Sequence, residues 1–333
     1  MGVPVLAFGL VIIAYLFPQE RVIDPAEITA DKLTHINYAF ANIKDGRVVE
    51  GFSHDAENFK VLGRIRKRHP HLKILISVGG WTWSGGFSDA ALSPQSRRRF
   101  VESAVAFVRR HDLDGFDVDW EYPGQRGYGN PYRPEDKESF TALMAELRAA
   151  LDAEGKKRRR HYLLTFAAGA SSNFLAHTEM DRVQASVDFV NLMTYDCREA
   201  EGDPLAGHHA NLFVHPSDPD QQSADRAVRE FLAAGVPAAK LVLGVPFYAV
   251  PGATWRPGTM GSTARGNPWS SAWTRNTRAW PNWWAARAGC ASGTRRRRRR
   301  SSGMRTSGPS SATTTPSRCA ASAATSASAA WAG

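Results

Sequence analysis

Seven short β-branched or aromatic runs, separated by longer segments of helical period, predict an α/β chain of repeated βα units around a parallel sheet. Seven such units within residues 11–248 suit a TIM-type (β/α)8 barrel better than an open doubly wound sheet, and the count leaves the eighth strand missing from this chain. Three runs also finish in clusters suited to a barrel mouth: Gly79-Gly80-Trp81, residues 117–121, and Met193-Thr194-Tyr195-Asp196.

The predicted strands, in order, are VIIAYLF (residues 11–17), LTHINYAF (33–40), KILISVGG (73–80), LDGFDVDWE (113–121), YLLTFAAG (162–169), VDFVNLMTYD (187–196) and KLVLGVPFY (240–248). Helical spacing is clearest over Pro94–Arg110, with Phe100, Ala104, Phe107 and Val108 on one face. Residues 135–153 repeat it with Phe140, Leu143, Leu147 and Leu151. The basic cluster 156–160 reads as a solvated loop, and Cys197 as a buried thiol. Residues 1–10 form an apolar N-terminal extension. Residues 1–17 have no positively charged start, and their second half is needed for the first strand, so no signal peptide is assigned. The run is also short for crossing a bilayer, and no membrane association is expected.

The chain has 333 residues, 43% hydrophobic and 22% charged, which excludes a coiled coil, a collagen-like chain or a wholly disordered protein. Three cysteines are too few for a disulfide scaffold. The net charge of +10 invites a nucleic-acid reading, but it is unevenly distributed. Residues 249–333 hold 13 of the 42 basic residues and no acidic one, so the first 248 residues hold 29 basic against 32 acidic side chains. The same 85 residues contain seven of the ten Trp and no Leu, Ile, Phe or Tyr. Such a segment lacks material for a core and is expected to be a disordered, low-complexity tail. An arginine arm with interleaved Trp could bind nucleic acid, but the barrel needs an eighth strand and nothing in the tail resembles one.

The chemistry-bearing segment is Asp114-Gly115-Phe116-Asp117-Val118-Asp119-Trp120-Glu121. Alternate side chains of a strand share one face, about 6.6 Å apart, so Asp117, Asp119 and Glu121 align and point into the barrel mouth. Three stacked acids cannot all ionise cheaply in a confined site, which yields a neutral acid beside an anion. Cleavage of a glycosidic bond needs that pair. A surface acidic run fits poorly, because Phe116, Val118 and Trp120 alternate with the acids as core residues. A metal site lacks companions, since His208-His209 lies in a loop where solvated imidazoles are the commoner outcome. Asp114, of opposite parity, reads as structural, as do the small residues Ser77, Gly79 and Gly80.

DGFDVDWEYPG resembles the DxxDxDxE signature of glycoside hydrolase family 18 chitinases, and the resemblance extends in family order through LTHINYAF and ISVGGW before it and NLMTYD and GVPFY after it. The resemblance implies hydrolysis of β-1,4-linked N-acetylglucosamine polymers, with no metal or organic cofactor, by a substrate-assisted retaining mechanism. It gives Glu121 the role of general acid and then base, Asp119 that of stabilising an oxazolinium ion, and Asp117 that of tuning Asp119. Tyr195 and Asp196 hold the acetamido group. Tyr15, Phe40, Trp81, Met193 and Tyr248 line the sugar subsites by family position, where apolar sugar faces stack on aromatic surfaces. The implied partner is chitin or a chito-oligosaccharide, the expected state a monomer and the expected location secreted, although no leader is evident. The alternative from the binding class is a non-hydrolytic, lectin-like chitin binder; loss of the acid would mark it, and Glu121 is present.

The family pattern continues after GVPFY with Gly-Arg, and this chain departs from it at Ala249. Tyr248-Ala249-Val250 can be encoded so that one restored G returns Tyr-Gly-Arg, and GC-rich codons for residues 302–333 then permit a Tyr-Asp-Asp, a helix-like segment and a Gly-rich stretch. The tail is therefore read as out of frame, and the six-arginine run 295–300 as its product. An open barrel is expected to be of low stability and at best weakly active.

Overall fold

The structure is a computed structural model, and it describes residues 10–197, 208–214 and 221–248. Residues 1–9 of the N-terminal extension and the tail 249–333, with its out-of-frame reading and expected disorder, lie outside the described residues.

Among the described residues, seven parallel strands form one open sheet, a barrel without its closing strand. They are β1 (Ile13–Leu16), β2 (His35–Lys44), β4 (Lys73–Gly79), β5 (Gly115–Asp119), β6 (Leu163–Gly169), β7 (Phe189–Met193) and β8 (Leu241–Leu243), hydrogen-bonded in that order. The strand absent from the sequence reading is β3 (Arg47–Val49), which pairs antiparallel with the end of β2. Its turn is Asp45-Gly46, both at positive φ (52° and 68°), as a two-residue hairpin turn of the favoured hand requires. β5, β7 and β8 are shorter than their apolar runs. Trp120, Glu121, Tyr195, Asp196 and residues 244–248 therefore lie beyond the ladder, at the C-terminal end of the sheet.

The helices are α1 (Asp55–Arg68), α2 (Phe87–Leu92), α3 (Pro94–Arg110), α4 (Asp136–Arg158), α5 (Ser172–Ala176), α6 (Met180–Val183) and α7 (Ala224–Ala233). α3 has the predicted bounds because Ser93 and Ser96 form a reciprocal cap ahead of Pro94 at the first helical position. α4 runs five residues past its predicted end. Lys156, Lys157 and Arg158 form its last turn rather than a loop, where cations offset the helix dipole, and Arg159 closes it at φ 54°.

The core lies between the sheet's outer face and the helices. Phe116, Val118 and Trp120 are at most 1% exposed, and Trp120 stacks on Phe87 at 5.3 Å. Phe140, Phe166, Phe174 and Phe231 extend this aromatic layer at 5.4–6.5 Å. Burying the even-numbered side chains of this segment in this way turns the acids at 117, 119 and 121 to the opposite face. Asp114 is structural, as its parity predicts. At the N-terminal end of β5 it accepts from Arg160 Nη2 (2.6 Å), Arg66 Nη1 (2.9 Å) and the Ile74 amide (2.9 Å). Among the described residues no helix is long and apolar enough to cross a membrane.

Candidate active site

Asp117, Asp119 and Glu121 are all buried, at 0, 5 and 8% exposure. Asp117 is a fully occupied acceptor. Its Oδ2 takes the Ser77 hydroxyl (2.7 Å) and the Tyr15 hydroxyl (3.0 Å), and its Oδ1 takes the Thr165 hydroxyl and the Asn191 amide (3.2 Å). Register explains two of these partners: Ser77, Asp117 and Thr165 are cross-strand neighbours on β4, β5 and β6. Ser77 is thus a direct donor to the acid row, beyond the purely supporting role expected from its size. Thr165 and Asn191 are not among the site residues predicted from the sequence, although each is a lone polar side chain in an apolar buried run.

Asp119 differs. Its Oδ1 is buried without a hydrogen-bond partner in the structure. Opposite it, Gly79 at φ 106° has no room for a side chain, since a Cβ there would fall 2.2 Å from the Asp119 carbonyl oxygen. This is the close approach that the small residues predict.

Burial dominates the proton affinities. It raises the Asp117 carboxyl despite four donors that favour the anion. Asp119 is pushed well above the carboxylate range by burial and then by the charges of Glu121 and Asp117. Glu121 is pushed up to about 7 by burial, with Asp196 adding to it. Asp119 and Glu121 titrate as a pair, both raised from the ordinary carboxylate values. Tyr195 is shifted up by burial and the charges of Asp119 and Glu121, so its phenol stays protonated as a donor.

Around the row stand the predicted subsite residues. Tyr15, Trp81 and Tyr248 are 40, 45 and 47% exposed, while Phe40 and Met193 are half-buried. Trp81 packs near Tyr122 and Tyr128, with ring centres 6.3 and 6.0 Å away. Phe40 sits 5.5 Å from Phe17, and a Cβ on Gly80 would meet its ring at 3.0 Å. Asp196, exposed and at φ 56°, accepts the Tyr248 hydroxyl at 2.7 Å and lies 3.3 Å from His209 Nδ1. His209 is thus partly buried beside a carboxylate rather than solvated; His208 is exposed. The Ala39–Phe40 and Glu121–Tyr122 peptides, next to this cluster, are cis. Among the described residues, no group of three or more His, Cys, Asp and Glu is placed to hold a metal ion.

A neutral acid near pH 7 beside buried carboxylates, framed by half-exposed aromatics, can donate a proton to a bound polymer and stabilise a developing cation. Comparison with known proteins identifies the family. The profile of "Glycosyl hydrolases family 18" matches residues 11–294. Chitinase A1 of Niallia circulans is 39% identical over 277 residues, covering 67% of this chain and 40% of that protein. Chitotriosidase-1 of Mus musculus is 35% identical, covering 67% of this chain and 48% of its own length. The chain thus spans about half or less of these two relatives. The solved family 18 N-acetylglucosaminidase of Paenibacillus barengoltzii is 43% identical, with a TM-score of 0.67 over 72% of this chain and 68% of that one. With the profile matched across most of its length, the chain belongs to glycosyl hydrolases family 18.

Proposed function

We propose that this chain cleaves β-1,4-linked N-acetylglucosamine polymers by substrate-assisted hydrolysis with retention at the anomeric carbon. Glu121, carrying its proton near neutral pH, gives it to the glycosidic oxygen as the bond from that oxygen to the anomeric carbon breaks. The carbonyl oxygen of the substrate's own 2-acetamido group forms the new bond to that carbon, giving an oxazolinium ion. An internal nucleophile avoids much of the entropic cost of attack. Asp119 accepts the acetamido N–H and its charge stabilises the cation, with Asp117 exchanging a proton beneath it. Glu121, now ionised, takes a proton from water as that water opens the ring from the opposite face. Tyr195 and Asp196 hold the acetamido group, and Tyr15, Phe40, Trp81, Met193 and Tyr248 line the sugar path.

The observation that carries this reading is the buried Asp119–Glu121 pair, one member of which has its carboxyl near 7. The test is Glu121→Gln. Chito-oligosaccharide turnover should fall by about 10²–10⁴-fold while oligosaccharide binding, followed by Trp fluorescence, survives. In the parent chain, kcat/KM should fall above pH ~7 as Glu121 loses its proton. A Gln variant that keeps its rate would remove Glu121 from the mechanism.

A further inference from the structure

Glu121 stands two residues past the last ladder residue of β5, so no strand neighbour holds its peptide. Side chains from other segments hold it instead, on both sides. Its N–H donates to Ser84 Oγ at 2.9 Å, and its carbonyl accepts from Asn130 Nδ2 at 3.2 Å. Ser84 is fully buried, and its hydroxyl also reaches the carbonyls of Gly80 (2.8 Å) and Asp119 (2.9 Å). One oxygen thus joins the ends of β4 and β5 at the acid. Asn130 Nδ2 donates as well to the Trp81 carbonyl at 3.0 Å, which ties the acid's peptide to the segment bearing the exposed indole. Two glycines make room for this contact. A Cβ on Gly127 would fall 2.1 Å from the Glu121 carbonyl oxygen, and one on Gly85 would lie 3.3 Å from Asn130 Oδ1.

We propose that Ser84 and Asn130 are positioning residues, a two-sided clamp on the Glu121 backbone that aims its carboxyl at the leaving oxygen. The proposal rests on the reading of Glu121 as proton donor. Proton transfer requires the acid within hydrogen-bond reach of the oxygen it protonates, and a displacement of about 1 Å can cost about 10²-fold. A side chain at the end of a strand, outside the ladder, gains that precision only from contacts of this kind.

The test uses the full chain, Ser84→Ala and Asn130→Asp, and two N-acetylchitooligosaccharide substrates. One has a sugar leaving group, which must be protonated; the other a 2,4-dinitrophenolate, which need not be. The clamp predicts that kcat/KM, which reports loss of the leaving group and not the later attack of water for which Glu121 is the base, falls at least about tenfold for the sugar leaving group and less than about threefold for the dinitrophenyl substrate. Ser84→Thr, which keeps the hydroxyl, should recover most of the rate. Equal losses on both substrates, in step with the melting temperature, would overturn the proposal, because a merely structural role acts on both alike. A second readout needs no turnover: the Glu121 carboxyl titration, taken by infrared difference against Glu121→Gln. Its midpoint should move toward the ordinary carboxylate range in Ser84→Ala, and a midpoint unmoved in both variants would overturn the clamp. Glu121→Gln on the same substrate pair separates the two readings. If it does not selectively lose the sugar leaving group, the proton-donor assignment fails. If it does and the clamp variants do not, only the clamp fails.

Discussion

The Tyr15 hydroxyl donates to Asp117 Oδ2 at 3.0 Å across 102 residues of sequence, linking the first strand to the acid row. Asn191 Nδ2 in turn donates to the Tyr15 oxygen at 3.1 Å. Tyr15 thus offers a half-exposed ring to the groove and a hydroxyl to the carboxylate beneath it. Tyr15→Phe keeps the ring and removes the donor. A hydrogen bond to a charged acceptor contributes about 1.5–3 kcal/mol, so kcat should fall about ten- to hundredfold with KM nearly constant. Steady-state kinetics on a chito-oligosaccharide decide the point, and an unchanged kcat would reduce Tyr15 to a sugar platform.

The acid row also sets a pH dependence of stability. Glu121 is near 7 in the folded state against an ordinary 4.5, so between these values the folded chain holds a proton that the unfolded chain has lost. The associated stability is complete below pH ~4.5 and is lost as pH rises through ~7, amounting to roughly 3 kcal/mol. Asp117 and Asp119, also raised, act in the same direction. Glu121→Gln removes the ionisation, so its melting temperature should gain on the parent as pH rises from 5 to 8. A difference independent of pH in calorimetry would contradict the raised value.

Asp114 predicts the opposite separation, stability without chemistry. It is 7% exposed at the N-terminal end of β5 and receives two guanidinium groups and a backbone amide. Contacts at that end of a barrel serve the fold, because the acid row sits at the other. Asp114→Ala leaves the Arg66 and Arg160 donors without their carboxylate and should cost about 2–4 kcal/mol. Denaturant unfolding should show the loss, with kcat of the remaining folded protein intact. A fall in kcat without a fall in stability would place Asp114 in the site.

Much of this arrangement was legible because its signals are periodic. Parallel strands buried on both faces read as apolar runs, and the period of two alone put Asp117, Asp119 and Glu121 on one face with Asp114 on the other. Two features were visible but unread: the Asp45-Gly46 hairpin turn, and the isolated polar residues Thr165 and Asn191 inside apolar strands. The Ser84 and Asn130 contacts were not legible in the same sense. They join loops whose paths follow no period, and they exist only once β4 and β5 are side by side. The roles proposed for the individual acids rest on the family motif; parity supplied their common face but not a division of labour.

The two outer strands carry the last prediction. Among the described residues, no strand pairs with the free edge of β1 or of β8. Apolar side chains there are open to solvent: Leu243, Val245 and Phe247 are 44, 64 and 73% exposed, and Ile12 and Phe17 are 40 and 50%. Unpaired edges with exposed apolar side chains template pairing with other chains. The protein should therefore associate in a concentration-dependent way, without a defined stoichiometry, and Val245→Lys with Phe247→Lys should suppress it by placing charge on the β8 side. Static light scattering across a dilution series provides the measurement. A scattering mass equal to the 36.5 kDa monomer at every concentration would show that these edges are covered in solution.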